Sequence, residues 1–149
     1  MRIVFSISNK IVSIVCPAYS FSLHATSCRD ECTNNGWLSC QRASFKGPIQ
    51  VGDYYLSPQE LTDPNTVGDV LRNFRPDSPG DWGDWRIPIH PKTGTRTWER
   101  DNFFLHGGRF EGSAGCIDVG GGLTGTQNTD LLRDLIKAVK TRIELEVIP

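Results

Sequence analysis

Apolar and polar residues alternate at both ends of the chain. Ile3, Phe5 and Ile7 are interleaved with Arg2, Ser6 and Ser8, and near the end Ile143, Leu145 and Val147 alternate with Glu144 and Glu146. A period of two is the mark of a half-buried strand, because successive side chains point to opposite faces. Residues 3–7 and 11–15 therefore read as two strands joined through Ser8-Asn9-Lys10, and the chain closes on a third. Residues 19–23 could add another, and residues 49–56 follow the punctuation of Gly47-Pro48. Residues 85–90 are strand-like, with Pro88 suited to an edge. Lys92-Thr93-Gly94 predicts a hairpin turn with residues 95–98 returning, and residues 102–105 form an apolar run ending at His106.

The period changes once. Leu131, Leu132, Leu135, Ile136 and Val139 recur at helical spacing, with Asn128 or Thr129 as cap and Lys137, Lys140 and Arg142 crowding the last turn. Val67, Val70 and Leu71 make residues 58–72 a candidate for a short second helix. Residues 27–46 and 75–83 are polar or rich in Pro, Gly and Asp, and read as loops. Gly120-Gly121-Gly122 and Gly125 read as a flexible stretch. The expected fold is mainly β, with one clear C-terminal helix, in a single domain over 1–149.

Composition narrows the function. Sixteen basic residues are scattered among seventeen acidic ones for a net charge of −1, so nucleic acid is not the expected partner. No segment has the ~20 apolar residues of a membrane span. The N-terminal apolar run could open a signal peptide, but Asn9 and Lys10 interrupt it and a strand is preferred. Cys16, Cys28, Cys32 and Cys40 cluster, whereas Cys116 stands apart. Two disulfides plus one reactive thiol is the preferred reading, which points outside the reducing cytosol. A zinc site and simple burial of some thiols are the alternatives.

The chemistry concentrates in Phe103-Phe104-Leu105-His106-Gly107-Gly108 and, after Arg109-Phe110-Glu111-Gly112, in Ser113-Ala114-Gly115-Cys116-Ile117-Asp118. An apolar strand would deliver His106 at its end, and a ten-residue gap lets the chain fold back and bring Cys116 beside it. A thiol with a pKa of about 8.5 is a few per cent ionised at neutral pH, and an adjacent imidazole can take its proton. Backbone N–H groups around Ala114, Gly115 and Cys116 are candidates for an oxyanion hole. His24 and His90 have no such company and read as structural or surface residues.

His106 with Ser113-Ala114-Gly115-Cys116 resembles the signature of L,D-transpeptidase catalytic domains, and the wording His-Gly-Gly…Gly-Ser-Ala-Gly-Cys-Ile-Asp resembles most the branch delivered by bacterial type VI secretion. Ile7-Ser8-Asn9-Lys10-Ile11-Val12 and Gly47-Pro48-Ile49-Gln50-Val51-Gly52-Asp53-Tyr54 resemble the opening hairpin and a later strand of that domain. The resemblance implies a β-sandwich or barrel-like fold, with Cys116 as nucleophile, His106 as base, Gly107 as the carbonyl that orients the imidazole, and Ser113 as shaping the turn. Gly108, Arg109, Ala114, Gly115, Asp118 and Trp85 would line the substrate site. Arg109 or Arg100 is the candidate for the substrate carboxylate, against a plainer reading of each as a solvated surface residue. Trp82 and Trp85 would wall the cleft or else pack.

The implied reaction is attack on meso-diaminopimelate in the tetrapeptide stems of peptidoglycan, with release of D-alanine. Water as acceptor gives L,D-carboxypeptidase cleavage, and an amine gives a crosslink or D-amino-acid exchange. No metal or cofactor is implied. The expected partners are the stem peptides, a secretion apparatus and a cognate immunity protein, with action in the periplasm of a target bacterium. The chain has Ala114 where typical members carry a second His, and Asp118 where Asn or Arg is common. Another cell-wall cysteine peptidase or amidase, or a disulfide-stabilised binding module, are the alternatives.

Overall fold

The computed structural model describes residues 1–28, 30–44, 46–63, 85–108, 115–121 and 125–149. The expected helix at Val67, Val70 and Leu71, the loop 75–83, Trp82, Arg109, Phe110, Glu111, Gly112, Ser113, Ala114 and Gly122 lie outside them. Among the described residues, strands β1 (Arg2–Ser6), β2 (Ile11–Val15), β3 (Ser20–His24), β4 (Gly52–Leu56), β5 (Arg86–Pro91), β6 (Phe103–Gly108), β7 (Ile117–Gly121) and β8 (Ile143–Ile148) form one sheet. Its order is β3-β2-β1-β8-β4-β5-β6-β7. A pair of 2.8 Å backbone bonds between Thr26, just past β3, and Asp118 on β7 draws the two edges together. The sheet is a nearly closed barrel, as a mainly β chain that protects its edges should be. Helices α1 (Leu38–Arg42) and α2 (Gln127–Ala138) and 3-10 turns at Asp30–Cys32 and Pro58–Glu60 complete it. No described helix is long and apolar enough to cross a membrane.

The alternating residues behave as their period requires. Ile3 and Phe5 on β1, Val12 and Ile14 on β2, and Ile143, Leu145 and Val147 on β8 are all buried in one core. β8 runs parallel to β1 on one side and antiparallel to β4 on the other. Helix α2 packs on β7 and the 3-10 turn at Pro58–Glu60, and it buries Leu132 and Ile136. Its cap is Thr126 rather than Asn128 or Thr129. The Thr126 hydroxyl accepts from the Thr129 amide, and the Thr129 hydroxyl accepts from the Thr126 amide, which satisfies two otherwise orphaned donors.

Several expectations need correcting. Residues 95–98 do not return as a strand. Thr95 is held beside β4, its hydroxyl donating to Asp53 O (2.6 Å), and Trp98 and Glu99 turn away at φ 57° and 63°. Pro88 is not on an edge strand, since β5 lies between β4 and β6. The proline is tolerated because the β4 ladder covers only His90 and Pro91, while Arg86 bonds to Thr62. The backbone of Pro88 faces the gap between those contacts, where a missing N–H breaks nothing.

The loop 27–46 contains α1 and one disulfide, Cys32–Cys40, not two. Cys16 sits in the β2–β3 turn and Cys28 beyond the far end of β3, about 17 Å of strand away. A bridge requires Cα atoms within about 7 Å. Gly120 and Gly121 are strand rather than flexible linker. Gly120 and Gly121 adopt φ +73° and +98°, and a Cβ on Gly107 would meet Gly120 O at 3.0 Å. Close approach of parallel β6 and β7 at an irregular register is what these glycines permit.

Candidate active site

β6 places Phe103 and Leu105 in the core, so strand alternation turns His106 to the other face. The strand does not stop at His106, as expected, but continues through Gly107 to Gly108. Parallel pairing with β7 sets Leu105 against Ile117 and His106 against Asp118. Cys116 lies just before β7, so the same register brings it to His106. Both are buried, at 0% and 3% exposure for His106 and Cys116, and the thiol is near enough to the imidazole to raise its pKa.

The imidazole is oriented. Its Nδ1 lies 3.0 Å from Gly107 O, and since a carbonyl only accepts, Nδ1 carries the proton and Nε2 is left for the thiol. This is the geometry that the resemblance assigns to Gly107. Cys116 Sγ also lies 4.0 Å from Asn102 O. Asp118 is 4% exposed, and its carboxylate accepts from Gly120 N at 2.7 Å. Burial pushes the His106 imidazolium toward neutrality. That is outweighed by the neighbouring Cys116 thiol, by the negative charge of Asp118 and by the Gly107 carbonyl, so its pKa lies above the ordinary histidine value.

Gly115 shows why a small residue precedes Cys116. Its φ is +80°, and a Cβ there would meet Arg100 Nη2 and the Phe103 ring at 2.8 Å. Arg100 is not a solvated surface residue, nor is its fork open to a substrate carboxylate. Nη1 donates to Gln41 O (2.8 Å) and Pro48 O (2.9 Å), and Nη2 donates to Gly47 O (2.6 Å). Trp85 is fully buried, with its carbonyl accepting from Gly107 N at 3.3 Å, so it backs β6 rather than walling a cleft. Asp118 likewise acts on the imidazole as a buried charge rather than presenting itself to a substrate. Gly108 faces Gly121 on β7. Arg109, Ser113 and Ala114 lie outside the described residues.

His24 is exposed on β3, and His90 pairs with Glu60 (2.7 Å) and stacks on Tyr55, so neither joins the site. Sequence reasoning did not foresee the Asn102 carbonyl, the charge role of Asp118 or the cradle around Arg100. The chain matches no family model and no curated protein. What the geometry offers chemically is a thiol that can pass its proton to an oriented imidazole in a dry setting.

Proposed function

We propose that the protein is a cysteine-nucleophile acyl transferase acting on the tetrapeptide stems of peptidoglycan, an L,D-transpeptidase or L,D-carboxypeptidase. The observation that carries the chemistry is the buried, adjacent Cys116–His106 pair with the imidazole oriented through Nδ1 by Gly107 O. The substrate class rests on the resemblance of the His-Gly-Gly and Ser-Ala-Gly-Cys segments. Cys116 gives its proton to Nε2, and the thiolate adds to the carbonyl of diaminopimelate. The C–N bond to D-alanine breaks, the imidazolium protonates the departing amine, and a thioester remains. Water or an amine, deprotonated by His106, resolves it and frees the thiol.

A positioned general base of this kind contributes about 10²–10⁴-fold. Purified protein should shorten tetrapeptide stems or exchange their terminal residue, as resolved by mass spectrometry of muropeptides, and C116A should leave them unchanged. Identical profiles for the two proteins defeat the proposal. Delivery by a type VI apparatus and neutralisation by an immunity protein belong to the same reading. Periplasmic expression should then arrest growth with the wild type and not with C116A.

A further inference from the structure

Arg100 carries a positive charge into the neighbourhood of the nucleophile, and among the described residues no carboxylate pairs with it. Its donors go to three carbonyl oxygens, of Gln41, Gly47 and Pro48. That cradle is itself fixed. Gln41 Nε2 donates to Gly36 O (2.6 Å), Val51 N donates to Gln41 Oε1 (3.0 Å), and the buried Gln50 side chain donates to Gln41 O (2.8 Å). Gln41 follows Cys40, whose disulfide to Cys32 closes the segment. On its other side the guanidinium abuts Gly115 and lies over Phe103, 5.7 Å from the ring centre.

Carbonyl dipoles hold a cation without neutralising it, so a half-buried guanidinium still favours a nearby anion. The ionisable groups in its field are Cys28, Tyr54 and Cys116. Tyr54 is buried, its hydroxyl donates to Gln50 O (2.8 Å), and burial holds it far above the usual tyrosine range, so it supplies no charge. The thiols remain, and of these Cys116 has an imidazole to take its proton.

We propose that Arg100 is a positioning residue for Cys116, bracing Gly115 and lending the thiolate a fixed cation, so that the disulfide-closed segment 32–40, through the adjoining Gln41, is felt at the nucleophile. This rests on the reading of Cys116 as nucleophile, not on the identity of the substrate. The groups that bear on Cys116 are then Asn102 O and His106 from β6 and the loop before it, Asp118 from β7, Arg100, and Cys28, which shares the field of Arg100.

The test is the pH profile of Cys116 alkylation by iodoacetamide, read by mass spectrometry on the Cys116 peptide. R100M should move the midpoint upward by about one pH unit, the size expected for losing one nearby opposite charge, and slow alkylation below the midpoint about tenfold. R100K keeps the charge but not the planar fork, so its midpoint should lie nearer the wild type. C32S/C40S, which opens the cradle from a distance, should shift the midpoint in the same direction as R100M, and it decides the matter if R100M does not fold. A folded R100M with the wild-type midpoint overturns the proposal, as does an unshifted C32S/C40S. The assay needs no cell-wall substrate. A shifted midpoint without stem cleavage sinks the substrate reading alone, and stem cleavage with an unshifted midpoint sinks this inference alone.

Discussion

Two glycines with the same backbone handedness separate strain from crowding. Gly94 and Gly115 have φ of +96° and +80°, so alanine at either is forced into a left-handed conformation. That costs about 1–2 kcal/mol, partly offset because alanine stiffens the unfolded chain by about 0.4–1 kcal/mol. Around Gly94 nothing lies within 4 Å of the added Cβ, whereas at Gly115 Arg100 Nη2 and two Phe103 ring carbons stand at 2.8 Å. Overpacking of that kind adds about 1–3 kcal/mol. G94A should therefore cost about 1 kcal/mol and G115A roughly 2–4 kcal/mol, out of a total of about 5–15 kcal/mol. At about 2–4 °C per kcal/mol for a chain of this size, calorimetry should show Tm falling about 3 °C for G94A and roughly 6–12 °C for G115A. G115A should also slow Cys116 alkylation, and G94A should not. Equal losses of Tm would refute the claim that the nucleophile turn is held by contact with Arg100 and Phe103.

Other outcomes follow from the same geometry. H106Q should lower turnover of stem peptides by about 10²–10⁴-fold with the fold retained, as seen by circular dichroism, since glutamine cannot relay the proton. Because the folded pKa of His106 is raised, its contribution to stability is complete below the unfolded value of 6.5 and is lost as pH rises through the folded value. The difference in unfolding free energy between wild type and H106Q should shrink over that window, and a difference that grows with pH contradicts the assignment. The alkaline limb of the turnover profile should likewise lie above 6.5, where the imidazolium still protonates the leaving amine. T126A should cost about 1 kcal/mol by urea denaturation, and N128A, an exposed residue in the first turn, should stay within about 0.5 kcal/mol.

What the sequence made legible has a common cause. The hairpin of β1 and β2, strand β8 and helix α2 each carry their own period, so burial of one face was written in adjacent residues. The Cys116–His106 pairing was legible because both lie among glycines at short range. β7 was missed because Gly120 and Gly121 look like breakers, and it is parallel pairing with β6, a tertiary contact, that makes them a strand. The same pairing puts Asp118 opposite His106, which no local pattern announces. Arg100 was misread for another reason. Its partners are main-chain carbonyls of Gln41, Gly47 and Pro48, and backbone oxygens leave no trace in a pattern of side chains. Residues 95–98 had a suitable turn before them, but Thr95 bonds to β4 and the chain then leaves the sheet at Trp98.

The position of β8 has a consequence for how the molecule is made. Its neighbours are β1, formed from the first residues of the chain, and β4, which belongs to the other half of the sheet. During synthesis β1–β2–β3 and the group β4–β5–β6–β7 cannot be bridged between β1 and β4 until residues 143–148 emerge. Cys116 and His106 lie in the second group, while Thr26, which secures the Asp118 edge beside them, follows the first. A chain paused before residue 143 would thus hold Cys116 and His106 in a sheet whose two halves β8 has not yet bridged.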